Sequence, residues 1–135
     1  MTPDQTQIVQ TTWQQVVPIA DTAATLFYDR LFEIDPTTRP LFRAETLPEQ
    51  KRKLVTMLNT VVTGLHQPER IVPAAQALAR RHVGYGVAAG QYDSVGAALL
   101  WTLGQGLGDA WTPQAEEAWT AAYTLLAGVM RDAAA

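Results

Sequence analysis

Pro73-Ala74-Ala75-Gln76-Ala77-Leu78-Ala79-Arg80-Arg81-His82-Val83-Gly84-Tyr85-Gly86 is the stretch on which the reading of this chain turns. Pro73 opens a helix, because its fixed φ and missing N–H suit the first helical position. Ala75, Leu78, Ala79 and His82 then fall on one stripe at three- and four-residue spacing. Gly84-Tyr85-Gly86 stops the helix. The stripe is apolar except for one imidazole, with Arg80 and Arg81 standing off it. Taken alone, such an imidazole is a core histidine with a satisfied hydrogen bond. Its company elsewhere in the chain decides whether it does more.

On either side of this stretch the chain also reads as helix. Thr2-Pro3-Asp4-Gln5 has an N-cap, a proline at the first helical position and a capping-box glutamine. Ile8, Val9, Trp13, Val16 and Val17 follow at helical spacing. Pro18 interrupts, and a second helix carries Ala24, Leu26, Phe27, Leu31 and Phe32 up to the corner Asp35-Pro36-Thr37-Thr38. Thr46-Leu47-Pro48-Glu49 reads as another capping box, before a helix with Leu54, Met57, Leu58, Val61 and Leu65. Gln50 stands one turn before Leu54, on or beside the same face. Pro68 ends that helical region. Tyr92, Val95, Leu99, Leu103 and Leu107 mark the next helix, and Gly104, Gly106 and Gly108 weaken its end. Thr112-Pro113 caps the last, whose inner face carries Trp119, Tyr123, Leu126 and Met130. No alternating strand pattern of useful length exists. The expectation is an all-α fold of about seven helices with short corners, packed orthogonally because corner prolines forbid four long antiparallel helices.

The 135 residues fit one domain, 1–135, and 47% hydrophobic content supports a packed core. With no cysteine, disulfides, thiolate metal sites, c-type haem attachment and cysteine nucleophiles are excluded. A net charge of −3 gives no nucleic-acid footprint. The start, Met1-Thr2-Pro3-Asp4-Gln5, is not a signal peptide, and no run approaches a membrane span. The expectation is a cytoplasmic protein without nucleic-acid or membrane partners.

His66 and His82 are the two histidines, and neither sits in a zinc pattern. Ser94, the one serine, has no nucleophile-elbow motif around it. His66, in Leu65-His66-Gln67-Pro68, reads as a surface residue at a helix end. His82 has different company. A haem site needs one neutral imidazole, a facing helix with apolar bulk and a hydrogen-bond donor, an aromatic wedge, and cations at its mouth. Phe42 in a corner, and Gln50, Lys53 and Leu54 on a preceding helix, offer those parts.

The segments Leu26-Phe27-Tyr28-Asp29-Arg30-Leu31-Phe32, Pro40-Leu41-Phe42, Gln50-x-x-Lys53-Leu54 and Arg80-Arg81-His82-Val83-Gly84-Tyr85-Gly86-Val87 resemble the globin family. They are most similar to the single-domain bacterial globins related to flavohaemoglobin haem domains and to Vitreoscilla-type haemoglobin. The resemblance runs from Trp13 to Met130 and implies a helical sandwich, three helices over three, around haem b. It implies that His82 is the proximal iron ligand, Phe42 packs on the haem and Gln50 gates the distal side. It further implies that Tyr28 points into the distal pocket, Leu54 lies over the iron and Lys53 stands near the propionates. The same register adds Arg81, Val87, Tyr92, Val95 and Met130 to the cofactor-binding set. In flavohaemoglobin-like members a glutamate of the last helix joins the proximal tyrosine, here Tyr92. That glutamate position falls on Ala134, a departure that weakens any peroxidase-like push from His82.

The resemblance therefore implies binding of dioxygen, and of NO and CO, at a pentacoordinate or weakly hexacoordinate iron, with Tyr28 and Gln50 stabilising bound oxygen. An enzymatic alternative is nitric oxide dioxygenation, which consumes electrons and needs a separate reductase. A third is a gas or redox sensor module.

Overall fold

The computed structural model describes residues 1–84 and 90–134; residues 85–89 and 135 lie outside the described residues, as do the side chains of Pro68, His82, Val83 and Ala134. The described residues form six α-helices: α1 (Pro3–Val16), α2 (Ala20–Ile34), α3 (Leu47–Thr63), α4 (Pro68–Gly84), α5 (Gln91–Leu107) and α6 (Pro113–Ala134). Three 3₁₀ turns, Val17–Ile19, Pro36–Leu41 and Gly108–Ala110, make corners between them, and no strand occurs among the described residues.

The helix ends follow local chemistry. Thr2 and Gln5 close a reciprocal capping box at the start of α1. Pro18 falls in the 3₁₀ turn that separates α1 from α2. Asp35 ends α2, and its carboxylate accepts from the Thr37 N–H at 3.1 Å and from the Thr37 hydroxyl. Thr112 caps α6 by accepting from the Ala115 N–H at 3.1 Å. Gly108 closes α5 with φ +53°, a conformation that favours glycine over every residue with a Cβ.

Two expectations fail at prolines. Thr46 precedes α3, but its backbone is already helical (φ −99°, ψ −7°), and its hydroxyl donates to the Arg43 carbonyl at 3.3 Å instead of capping. α4 begins at Pro68, not Pro73, so Pro68 opens a helix and Pro73 lies inside it. Pro68-Glu69 offers a proline at the first position and an acid in the first turn, which suits the helix dipole. With Pro73 inside one continuous helix, and no further helix elsewhere, six α-helices replace the expected seven or so among the described residues.

α1 packs on α6 and α2 on α5. At the α1–α6 crossing, the Trp13 and Trp119 ring centroids are 6.2 Å apart. Their indole N–H groups are both satisfied, Trp119 by the Thr12 hydroxyl at 2.9 Å and Trp13 by the Asn59 side-chain oxygen at 3.1 Å. The buried core has two parts. The larger joins α1, α2, α3, α5 and α6 around Trp13, Phe27, Tyr28, Leu31 and Leu103, and it reaches α4 through Ile71. The smaller joins α4, α5 and α6 around Ala75, Ala79, Tyr92, Ala127 and Met130.

Gly96 lets α5 meet α6 between these two parts. A Cβ there would lie 2.7 Å from Tyr123 Cε2 and 3.0 Å from its Cδ2. Gly96→Ala is expected to lower the stability of the fold by about 1–3 kcal/mol, the usual cost of overpacking. Denaturant unfolding measures it, and a less-than-additive cost in the double variant with Tyr123→Ala would locate the clash.

Candidate functional site

The residues that the sequence singles out fall in two groups, one on α2, its following corner and α3, the other on α4, α5 and α6. In the first group, α2 brings Tyr28 into the core at 5% exposure, and the corner after α2 brings Phe42 to it. The Tyr28 and Phe42 rings meet edge to face at 5.3 Å, and Phe32 closes the cluster at 5.7 Å from Phe42 and 6.1 Å from Tyr28. Gln50, in the first turn of α3, is half-buried; its backbone carbonyl accepts a long hydrogen bond, 3.4 Å, from the Tyr28 hydroxyl. Its side-chain amide makes no hydrogen bond among the described residues. Leu54 follows one turn later, packed against the larger core and lining a small apolar cavity of about 20 Å³ with Trp13, Phe27, Leu58, Leu99 and Leu103. Val95 of α5 is half-buried against the same core.

The second group starts from α4. Ala75 and Ala79 are buried against Tyr92 of α5 and Met130 of α6. His82 lies on α4, three residues beyond Ala79, with its side chain outside the described residues; Val87 falls outside them entirely. Tyr92 is held from two directions. Its backbone carbonyl accepts from the Tyr123 hydroxyl, and the Arg131 guanidinium lies 5.6 Å from its ring centroid. Arg131 is in turn paired with Asp93 at 2.6 Å.

Lys53 and Arg81 are exposed, and Lys53 pairs with Glu49 one turn earlier at 3.7 Å, a surface contact of small energetic weight. His66 is exposed, beyond the end of α3. Ala134 is the last residue of α6, with its side chain undescribed. Three features escaped sequence reading. Phe32 completes the aromatic cluster; its place on the apolar stripe of α2 could have suggested this. The Arg131–Asp93 pair on Tyr92 joins two helices nearly forty residues apart and leaves no local signal. The same is true of Ser94, whose hydroxyl donates to the Asp35 carboxylate at 2.8 Å and ties the corner after α2 to the first turn of α5.

α3 and α4 are consecutive helices of 17 residues each, yet no extensive packing joins them among the described residues. α3 packs on α2, and α4 on α6. Where the two come together near the connecting turn, Val61, Leu65, Ile71 and Ala75 line an apolar cavity of about 30 Å³ with α6. The α3 side otherwise carries tyrosine, phenylalanine, leucine and a glutamine, and α4 carries His82; that chemistry suits a largely apolar group with one metal centre. It does not suit a metal site made of side chains alone, since no three His, Asp or Glu residues among the described ones could hold a metal ion together.

The family model described as Globin matches residues 25–130. The chain belongs to the globin family. The match begins on α2, just before Tyr28, and ends at Met130 of α6, so it spans both groups of residues. A flavohemoprotein of Rhodopirellula baltica is 31% identical over 125 residues, covering 91% of this chain and 31% of that protein. A flavohemoprotein of Deinococcus radiodurans is 30% identical over 132 residues, covering 96% of this chain and 33% of that one. This globin thus spans about a third of the length of the curated relatives it matches. Among solved structures, a bacterial globin from Campylobacter jejuni superposes with a TM-score of 0.82 at 25% identity, over 98% of this chain and 96% of the other. A hexacoordinated heme protein from an anhydrobiotic tardigrade shares the fold, with a TM-score of 0.90 at 16% identity over 99% and 95% of the two chains. The all-α globin fold expected from sequence is therefore the observed one.

Burial pushes the Tyr28 phenol up from 10.0 to about 12, and it raises Tyr123 as well. The folded state therefore holds these protons more tightly than the unfolded chain. Stability from Tyr28 is complete below the unfolded value of 10.0 and is lost as pH rises toward about 12. Unfolding free energy should fall across that window, and Tyr28→Phe should make the fall shallower, leaving the part due to Tyr123. An equal slope in both proteins would remove Tyr28 from the account.

Proposed function

We propose that this globin binds haem b between α3 and α4, with His82 as the iron ligand, and that it binds dioxygen and other diatomic gases. The observation that carries the reading is a buried phenol beside a glutamine whose side-chain amide has no partner among the described residues, in a chain whose next helix, α4, carries His82. Bound in this way, haem supplies an iron centre that takes up O₂, NO or CO reversibly.

The chain's own residues would divide the work. Phe42 and Leu54 present apolar surface to the porphyrin, and Tyr92, Val95 and Met130 wall the site from α5 and α6. Lys53 and Arg81, both exposed, are free to reach carboxylates at the mouth. His82 would present one ring nitrogen to the iron, and a hydrogen bond from the other would fix its tautomer. Tyr28 and Gln50 supply hydrogen-bond donors on the opposite side. The Tyr28 hydroxyl is well placed to change partners. Its 3.4 Å bond to the Gln50 carbonyl is much longer than the usual 2.7–2.8 Å for O–H···O, so little is lost when it turns to a polarised ligand. Burial keeps this phenol protonated and therefore a donor throughout the physiological range.

A hydrogen bond to a charged acceptor contributes about 1.5–3 kcal/mol, and about 1.4 kcal/mol is tenfold in rate or equilibrium. Two such donors slow oxygen release by roughly a hundredfold, which favours holding the gas over delivering it. Gas binding of this kind requires ferrous iron, so a reductase that restores it is part of the proposal. The flavohemoprotein relatives, about three times as long as this chain, suggest that class of partner.

Stopped-flow measurement after haem loading tests the donors: Tyr28→Phe and Gln50→Leu should each raise the oxygen off-rate about tenfold. An unchanged rate removes that residue from the site. His82→Gly should lose haem on gel filtration, and a variant that kept a normal Soret band would sink the ligand assignment.

A further inference from the structure

We infer that the basic rim at the start of α3 and the end of α4 is a docking surface for an acidic electron-donor protein, an inference that rests on the haem reading above. The basis is a strong segregation of charge. Arg39, Arg43, Lys51, Arg52 and Lys53 surround the entrance to α3, and Arg80 and Arg81 stand near the end of α4. These are seven of the ten basic residues of the chain, and the same two stretches hold only Glu45 and Glu49. The remainder carries three basic and eleven acidic residues, so a chain of net charge −3 bears a rim of about +5. All of these cations are exposed except Lys51, which is half-buried. Lys53–Glu49 is the one ion pair formed by any of them among the described residues.

The fold brings the two stretches together. α4 ends at Gly84, seven residues before α5 begins at Gln91, and the corner that leads into α3 is fastened to that start of α5. The Gln91 amide donates to the Thr37 hydroxyl at 3.2 Å, and Ser94 donates to Asp35 at 2.8 Å. Arg39 lies 4.8 Å from the Phe32 ring centroid, which sets the rim beside the aromatic cluster of the site.

Two carboxylates of a haem could occupy two of these cations and would leave the excess. An acidic protein that delivers electrons suits that excess. Redox encounters use small interfaces, below about 1,200 Å², and are steered by opposite charge. A bilayer surface fits less well, since stable membrane docking adds apolar insertion to charge. Among the described residues, the exposed large apolar ones, Met1, Val17, Ile19, Ile34 and Leu125, all lie outside the rim. Nucleic acid would also meet repulsion from the acidic remainder of the chain.

The experiment titrates the haem-loaded globin with oxidised flavodoxin, used as an acidic donor-type probe, and follows amide chemical shifts at low and high salt. We expect shifts on the rim and an affinity that falls at least tenfold between about 20 and 200 mM salt. The triple variant Arg43→Glu/Arg52→Glu/Arg80→Glu should weaken binding at least tenfold at low salt. Arg52→Glu alone should weaken it more than Arg70→Glu, which makes the same charge change on an exposed residue at the start of α4, outside the rim. Equal effects of Arg52→Glu and Arg70→Glu, or an unaffected triple variant, would overturn the inference. So would rim-dependent binding to vesicles of anionic phospholipid with none to flavodoxin. Haem uptake and the CO difference spectrum are read on the same samples. Normal uptake without docking overturns only the rim assignment, whereas a chain that takes up no haem ends both.

Discussion

The packing of α3 and α4 onto different partners is the constraint from which the rest of this globin follows. Two consecutive helices of equal length, joined by four residues, would ordinarily zip together as an antiparallel pair. Here each has a better partner. α3 is anchored on α2 and on α1, where the Gln10 amide donates to the Val62 carbonyl at 3.0 Å and Trp13 reaches Asn59. α4 sits on α6 through Ala75, Ala79 and Ala127, whose small side chains let the helices approach closely, and through Met130. The two helices share core near the turn that joins them, where Ile71 of α4 joins Leu58, Val62 and Leu65, and elsewhere each is held by its own partner.

Much of this was legible in the sequence, and the reason lies in the range of the interactions. The Thr2–Gln5 box, the Pro18 break, the Asp35-Pro36 corner and the Thr112-Pro113 cap are contacts within three or four residues, so residue type and spacing determine them. The same local rules misled at Thr46, where the backbone before α3 was already helical and the hydroxyl turned to Arg43. At Pro73 a start signal competed with an equally good one at Pro68, and the buried stripe of Ala75 and Ala79 extends back to Ile71, between the two prolines. Leu54 could be named because helical periodicity and the family register agree on it, Phe42 from its corner and that register, and Tyr28 from the register alone. Their mutual arrangement could not, because edge-to-face rings and a hydroxyl aimed at the Gln50 carbonyl depend on how α2 crosses α3.

The α4 side shows the limit most clearly. Sequence comparison with flavohaemoglobin-like globins asked which carboxylate accompanies Tyr92 and found alanine at the expected position. The structure answers with a different kind of partner: a guanidinium over the ring, carried by Arg131 and paired with Asp93. Asp93 pairs with this guanidinium at 2.6 Å, and the charge nearest the ring is the cation and not a carboxylate. The Arg131–Asp93 contact and the Tyr123 hydroxyl together fix the tyrosine in place without making it more basic; burial raises its proton affinity, and Arg131 opposes the rise. A tyrosine held in that way supplies shape to the site. In the proposed reading, it adds no electron density to His82.

That contrast bears on which chemistry the proposed site suits. Cleavage of an oxygen–oxygen bond draws on an anionic push from the α4 side, delivered through the iron ligand. Retention of a diatomic ligand draws on donors from the α3 side. In this chain the donors are on the α3 side, where Tyr28 is kept protonated by burial and is tied only by a long hydrogen bond. On the α4 side, the charge described against the Tyr92 ring is the Arg131 cation, paired with Asp93, and no anion is described there. The asymmetry favours a protein that captures gas and holds it. Turnover would then be governed by how fast electrons arrive, which gives the charged rim its functional weight.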